Sequence, residues 1–203
     1  MTCSASPGAG EPRIRTAVVL ASGMGVRLQG VADEPGREVI KPLLRVAGRP
    51  LLDRVLSACE RAGFDRIIVV VGYRREDVES FLRGRTSRVP IETVDNPDFR
   101  KSNGISLWRG AVAAGGPFAL FMCDHLFQPA NLDGLLDAGL GRFDAVLAID
   151  RKLDQVFDMD DATKVVVEGD VIRSIGKSLP DFNAVDSGMF LIGTALIDRL
   201  ATL

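Results

Sequence analysis

Three stretches of this chain are apolar at nearly every consecutive position: AVVL at residues 17–20, RIIVVVG at 66–72 and FALFMC at 118–123. A strand with one wet face alternates apolar and polar residues, so unbroken runs of this length predict strands buried on both faces. Such strands need helices above and below, and the intervening sequence supplies them. Leu51, Leu52, Val55, Leu56, Cys59 and Ala62 recur at helical spacing, and Gly63 is a natural stop. Val78, Phe81 and Leu82 mark the inward side of a second helix. Ile105, Trp108, Ala111 and Val112 mark a third, capped by Ser102 or Asn103, with Trp108 expected in the core. Pro129 opens a fourth, carrying Leu132, Leu135, Leu136 and Leu140. With short strands at 91–94 and 144–149 the rhythm is strand, helix, strand, helix. It predicts an α/β domain, Rossmann-like, with a mostly parallel sheet flanked by helices. After residue 150 the rhythm changes to a small β-hairpin over 163–175 turning at Gly169-Asp170, a strand at 184–192 and the start of a helix at 195–200.

Composition narrows the partners. A net charge of −2 leaves no basic footprint for nucleic acid. Three cysteines, Cys3, Cys59 and Cys123, with no CxxC spacing argue against a disulfide framework or zinc site and for a reducing, cytoplasmic setting. No apolar run reaches the roughly 18–20 residues of a membrane span. The opening MTCSASPGAGEP has no apolar signal-peptide core and reads, over residues 1–13, as a flexible tail preceding one domain at 14–203. The polar stretch 31–40 reads as a surface excursion, and a turn is expected at 48–50.

The first apolar run empties into a glycine loop, AVVLASGMGVRL at 17–28. Gly23 and Gly25 let backbone N–H groups approach an anion, and Arg27 adds a permanently charged fork, a combination suited to phosphate. It is neither of two familiar phosphate motifs. Leu28 stands where a dinucleotide fingerprint needs its third glycine, and Val31-Ala32 stand where a P-loop needs Lys and Ser/Thr. Asp124 sits at the end of a buried strand, where open α/β sheets bind their ligands; its alternative role is capping the next helix. His125, the single histidine, reads as a positioning or packing residue, and Asp160-Asp161 as a solvated loop.

LASGMGVRL, then KPLL (41–44), then GRPLLDRVL (48–56) resembles the superfamily of nucleotidyltransferases that join a sugar or polyol phosphate to an NTP. SNGIS (102–106), MCDH (122–125), DATKV (161–165), SIGKSL (174–179) and FNAVDSGMFL (182–191) follow in order. They resemble the CTP:inositol-1-phosphate cytidylyltransferases over about residues 15–200. The resemblance implies the nucleotidyltransferase fold and cytidylyl transfer from CTP to inositol 1-phosphate, giving CDP-inositol and pyrophosphate. It implies that Leu20, Ala21, Ser22, Gly23, Gly25 and Arg27 hold the triphosphate, and that Asn103, Gly104 and Ser106 receive the nucleoside. Lys41 then meets the α-phosphate, Asp124 binds Mg2+, and Lys177, Asp186, Ser187 and Gly188 contact the acceptor. Lys164 has a weaker claim. Val26 replaces the usual Ser/Thr of the loop.

The superfamily takes a second metal-binding aspartate from a later strand, near a V-D-T-like segment, which here would lie beyond Leu203. The expectation is a domain truncated at its C-terminus; the alternatives are that Asp186 substitutes or that the chain is not catalytically competent. Two other functions follow from the same residues. One is a sibling enzyme acting on a sugar 1-phosphate or phosphocholine, and the other a non-catalytic nucleotide-binding module. The implied partners are small molecules, CTP and a phosphomonoester.

Overall fold

A computed structural model describes residues 13–26 and 39–200. Arg27 and all but the last two residues of the excursion at 31–40 lie outside the described residues, as does the expected tail apart from Arg13, whose guanidinium donates to the carbonyl of Ala62 at 2.8 Å.

The three apolar runs are the centre of the sheet: β1 (Thr16–Leu20), β4 (Arg66–Val71) and β6 (Phe118–Met122). β1 pairs parallel with β4 on one side and β6 on the other, and β4 pairs parallel with β5 (Ile91–Asp95). Every residue from Ala17 to Val19 and from Ile67 to Val71 is fully buried, as uninterrupted apolar sequence requires. One face packs on α1 (Leu51–Ala62) and α4 (Pro129–Ala138), the other on α3 (Asn103–Ala114). α1 ends at Gly63, whose φ of 80° is the left-handed conformation of a helix stop. In front of α1 the chain makes a two-residue hairpin, β2 (Arg45–Val46) and β3 (Arg49–Pro50), across Ala47 and Gly48, both at positive φ.

Two expectations need correction. The strand at 144–149, β7 (Ala145–Asp150), does not extend the parallel ladder. The strand at 184–192, β10 (Ala184–Ile192), enters antiparallel between β6 and β7, and among the described residues β7 pairs only with it. β10 also receives the predicted hairpin, β8 (Lys164–Glu168) and β9 (Val171–Gly176), so the hairpin joins the main sheet, with order β5-β4-β1-β6-β10-β8-β9. The buried line of α3 is also not the expected one: Ser106, Gly110 and Ala111 are buried, Trp108 is half-buried, and Val112 is 60% exposed. Gly110 is the reason. A Cβ there would lie 2.5 Å from Cγ1 of Val18 and 3.2 Å from Cγ2 of Val70. The helix backbone therefore docks directly on the sheet at Gly110, and the larger apolar side chains flank that contact.

α2 (Arg75–Gly84) buries Val78, with Phe81 and Leu82 partly buried against the core. Just past it, the Arg85 guanidinium, 8% exposed, bonds Asp53 at 2.8 Å and Glu60 at 2.6 Å, tying the end of α2 to α1. Those Arg85 bonds, with one from Ser87 and against the penalty of burial, bring the Glu60 carboxyl down to about 2. α5 (Thr194–Leu200) ends the described chain, and among the described residues no helix is long and apolar enough to cross a membrane.

Candidate active site

β1 and β6 finish side by side, Leu20 opposite Met122, and the Cys123 N–H donates to the Leu20 carbonyl at 3.2 Å. The glycine loop and the Asp124 turn are thereby neighbours. Lys41, first residue of a single 3-10 turn with Pro42, lies against that loop. Gly25 sits at φ 59°, and a Cβ on it would fall 2.8 Å from Lys41 Cβ, so only glycine lets the loop lie along the lysine stem. The Lys41 ammonium forms an ion pair with Oδ2 of Asp124. Oδ1 of Asp124 accepts a hydrogen bond from Nδ1 of His125 at 3.0 Å. Asp124 does not cap α4, whose N-cap position is Gln128.

His125 carries this chain of contacts across to β10. The ladder between β10 and β7 is irregular between Asp186 and Phe190, and within that bulge Gly188 takes φ 77°. Its Cα lies against the imidazole, so closely that a Cβ would stand 2.6 Å from His125 Cγ. The bulge is held from both sides: Gly188 N–H donates to Asp186 Oδ1 at 2.6 Å, Ser187 Oγ donates to the Ala148 carbonyl at 2.7 Å, and Asp186 N–H donates to the Thr163 carbonyl at 2.9 Å. Lys41, Asp124, His125, Gly188 and Asp186 therefore form one continuous line from the glycine loop to the far half of the sheet.

The electrostatics run along the same line. Burial disfavours ionised Asp124, but hydrogen bonds and charge from His125 and Lys41 outweigh it and hold the carboxyl well below the usual carboxylate range. The hydrogen bond to Asp124 raises His125 above the ordinary histidine value against the opposing effect of burial. Asp186 moves the other way: burial raises its pKa, and the Gly188 N–H and the nearby His125 only partly compensate. An acid raised in the fold stabilises below its unfolded pKa, about 4, and that contribution is lost as pH rises through the folded value. Replacing Asp186 with Asn is therefore expected to raise Tm at neutral pH, with the gain shrinking toward zero as unfolding is measured at pH below about 4.

Lys177 stands in a second cluster. Its ammonium, half-exposed, pairs with Asp161 at 2.5 Å. Its carbonyl accepts from the buried Lys164 ammonium at 2.8 Å, and that ammonium lies 5.7 Å from the centre of the Phe182 ring. Asn183 fixes the same connection by a paired exchange with Val167, donating to its carbonyl at 2.8 Å and accepting from its N–H at 2.9 Å.

On the other side of the loop, the Leu20 carbonyl and the Ala21 N–H are committed to the sheet, the latter to Val70 at 2.9 Å. A Cβ on Gly23 would meet nothing within 4 Å. Asn103 and Gly104 are exposed at the first turn of α3. Ser22 and Ser106 are buried with their hydroxyls bonded to each other at 2.8 Å, so a ligand would meet their backbone rather than their Oγ. Asn96, fully buried and bonded to Ser106, belongs to this arrangement and carried no sequence signal beyond its place at the end of a short strand.

A hard divalent cation suits part of this line. Asp124 is an ionised carboxylate whose side chain is 25% exposed, and a cationic ammonium already sits on one of its oxygens, so the position accommodates positive charge. Among the described residues no group of three or more His, Cys, Asp or Glu forms a closed metal cage. An ion here would take its remaining ligands from substrate oxygens and water, which is the habit of magnesium.

The pattern of the MobA-like NTP transferase domain matches residues 17–159. The bifunctional IPC transferase and DIPP synthase of Rubrobacter xylanophilus is 36% identical over 186 residues, covering 91% of this chain and 40% of that protein. The chain thus spans well under half the length of that relative. The 2-aminoethylphosphonate cytidylyltransferase of Lancefieldella rimae is 31% identical over 188 residues, 84% of this chain and 68% of that one. The structure of the inositol-1-phosphate CTP transferase from T. maritima superposes with a TM-score of 0.78 over 96% of this chain and 76% of that chain, at 27% identity. With a family pattern spanning more than two thirds of its length and laid over the loop, Lys41 and Asp124, the chain belongs to the MobA-like NTP transferase domain family.

Proposed function

We propose that this chain transfers a cytidylyl group from CTP to inositol 1-phosphate, giving CDP-inositol and pyrophosphate. The observation that carries the reading is the line from Lys41 through Asp124 and His125 to the β10 bulge, which joins the glycine loop to the far half of the sheet. The similarity of most of the chain to the T. maritima protein named as an inositol-1-phosphate CTP transferase supports the choice of substrates.

In the proposed reaction a phosphate oxygen of the acceptor attacks the α-phosphorus of CTP in line. The new P–O bond forms as the bond to the bridging oxygen breaks, and its electron pair leaves with pyrophosphate. The attacking phosphate is already an anion at neutral pH, so no side chain need remove a proton. The work is positioning and charge neutralisation. The loop amides at Gly23 and Gly25, with Arg27, hold the β- and γ-phosphates that leave. Lys41 neutralises charge growing on the α-phosphoryl oxygens, and Asp124 keeps its ammonium aimed. Mg2+ held by Asp124, with Asp186 as the second carboxylate candidate, would supply further charge neutralisation on the phosphates. Asn103 and Gly104 face the cytosine, through α3 N–H groups and the Asn103 amide. Lys177 receives the acceptor phosphate, and Ser187 and Gly188 border the polyol. The reading includes a single domain over 14–203 and a cytoplasmic setting, which the two described cysteines, buried and free, support.

The match to the aminoethylphosphonate enzyme favours one second reading, the same CTP chemistry on a phosphonate acceptor. Pyrophosphate release should be measured with Mg2+ and each of CTP, UTP, ATP and GTP against inositol 1-phosphate, 2-aminoethylphosphonate, glucose 1-phosphate and phosphocholine. The expected result is release with CTP and inositol 1-phosphate, at least about tenfold above every other pair, the low end of what a pocket discriminates for a difference of one methylene. CTP with the phosphonate as the better pair moves the assignment to the second reading. Nucleotide binding without release from any pair leaves a nucleotide-binding module.

A further inference from the structure

Four segments converge behind the glycine loop, and the joint between them is polar and buried. Ser22 follows β1, Gly72 follows β4, Asn96 follows β5, and Ser106 lies in the first turn of α3. Ser22, Asn96 and Ser106 are 5%, 0% and 3% exposed. Their groups form one connected set: the Asn96 Nδ2 donates to Ser106 Oγ at 2.8 Å, and Ser106 Oγ bonds Ser22 Oγ at 2.8 Å. The Asn96 amide is oriented from its other end, because its Oδ1 accepts the Asp98 N–H at 3.0 Å. Ser106 Oγ must therefore act as acceptor toward Asn96. Backbone bonds anchor the outer members, from Asn96 N–H to the Val71 carbonyl at 2.8 Å and from Tyr73 N–H to the Ser22 carbonyl at 3.0 Å. Gly72 makes the approach possible: a Cβ there would lie 2.9 Å from Ser22 Cβ, 2.7 Å from Phe99 Cβ and 3.1 Å from the Asn96 carbonyl oxygen.

The consequence concerns distance. Asn103 and Gly104 stand at the exposed start of α3, in the same turn as Ser106, and Gly23 stands one residue after Ser22. One buried hydroxyl pair thus sets how far the helix start lies from the glycine loop. Buried polar groups in a closed network have few alternative partners, so such a joint holds one geometry rather than a range.

We propose that Ser106 is a positioning residue which, through Ser22 and Asn96, fixes the spacing between the triphosphate loop and the α3 start, so that base and phosphates are gripped together. This rests on the reading that the loop holds the triphosphate and the α3 start faces the base. Removing the Ser106 hydroxyl leaves Asn96 Nδ2 and Ser22 Oγ buried without their partner, and the two loops relax apart. The triphosphate grip is local to the loop and survives. The extra affinity that the nucleoside adds is what is lost.

The test compares dissociation constants of CTP and of inorganic tripolyphosphate, both with Mg2+, by titration calorimetry on wild type, Ser106→Ala, Ser106→Thr and Ser22→Ala. Ser22→Ala leaves Asn96 paired and serves if Ser106→Ala does not fold. For Ser106→Ala or Ser22→Ala the expected result is CTP binding weakened by about tenfold, as when a buried hydrogen bond loses its partner, with tripolyphosphate changed less than about twofold. Ser106→Thr, which keeps the hydroxyl, restores the wild-type ratio. A ratio of the two constants that is unchanged in the alanine variants, whatever happens to Tm, overturns the proposal and leaves a purely structural network. A wild type in which no nucleotide binds more tightly than tripolyphosphate overturns it too. If UTP, ATP or GTP shows that gain and CTP does not, the cytidine reading fails, and the same comparison decides the role of Ser106 with that nucleotide.

Discussion

Lys41→Met is expected to lower the turnover number for CTP-dependent pyrophosphate release by about 10²–10³, the usual loss when one preorganised donor to a developing oxyanion is removed. Methionine is chosen because it keeps the part of the side chain that packs. Cβ, Cγ and Cδ of Lys41 are the atoms that a Cβ on Gly25 would meet, so an alanine would remove loop support along with the charge. Little of the loss should come through unfolding. The Lys41 and Asp124 side chains keep 31% and 25% of their surface in water, which screens the pair and limits what its loss costs in stability. Asp124 also keeps its bond from His125. The dissociation constant of CTP should rise less than about fivefold, because an interaction made mainly in the transition state is missing from kcat and not from ground-state binding. Single-turnover rates with saturating CTP, set beside calorimetric CTP binding, separate the two. A variant whose whole defect is weaker CTP binding, with normal turnover at saturation, would remove Lys41 from the role given it here.

The reach of the sequence follows from what each pattern encodes. Unbroken apolar runs report burial on both faces, and β1, β4 and β6 lie where those runs lie. Neighbour order is a different quantity. DAVLAI at 144–149 has the composition of a buried strand but carries nothing to say that β10 will come between it and β6, since that follows from how the later chain returns. The α3 stripe misled for a related reason: apolar spacing locates bulky residues, whereas helix docking is set here by the position without a side chain, Gly110. Arg85 belongs to no motif or apolar stripe, and the approach of α1 buries it between Asp53 and Glu60. At the site, Lys41 and Asp124 were legible from motifs, and the structure pairs them. Their continuation was not. The contact of His125 with Gly188, the bulge at 186–190 and the Ser22–Ser106–Asn96 joint depend on segments far apart in the chain, which residue spacing does not bring together.

Gly188→Ala is expected to damage the site more than any other single-methyl change, because two penalties coincide. At φ 77° an L side chain costs about 1 kcal/mol in backbone strain alone. The added Cβ would also stand 2.6, 2.7 and 2.9 Å from Cγ, Cδ2 and Nδ1 of His125, which are ring atoms near the backbone and not the end of a flexible chain. The imidazole must swing away, and its hydrogen bond to Asp124 goes with it. That bond is the largest cause of the raised His125 pKa, so in the variant the histidine should titrate nearer the ordinary value of about 6.5. His125 is the only histidine of the chain, and its ring protons in a proton NMR titration report the change without assignment by mutagenesis. Turnover should fall by about 10² through loss of the aligned Asp124 and Lys41, and Tm by several degrees. A double-mutant cycle isolates the cause. In a His125→Ala background the ring is gone, so Gly188→Ala should retain only its backbone penalty and lower Tm by visibly less than in the wild type. Equal losses of Tm in both backgrounds, with the histidine pKa of the single Gly188→Ala variant unmoved, would mean that the bulge does not bear on the imidazole. Asp186 and its neighbours on β10 would then lose their link to Asp124.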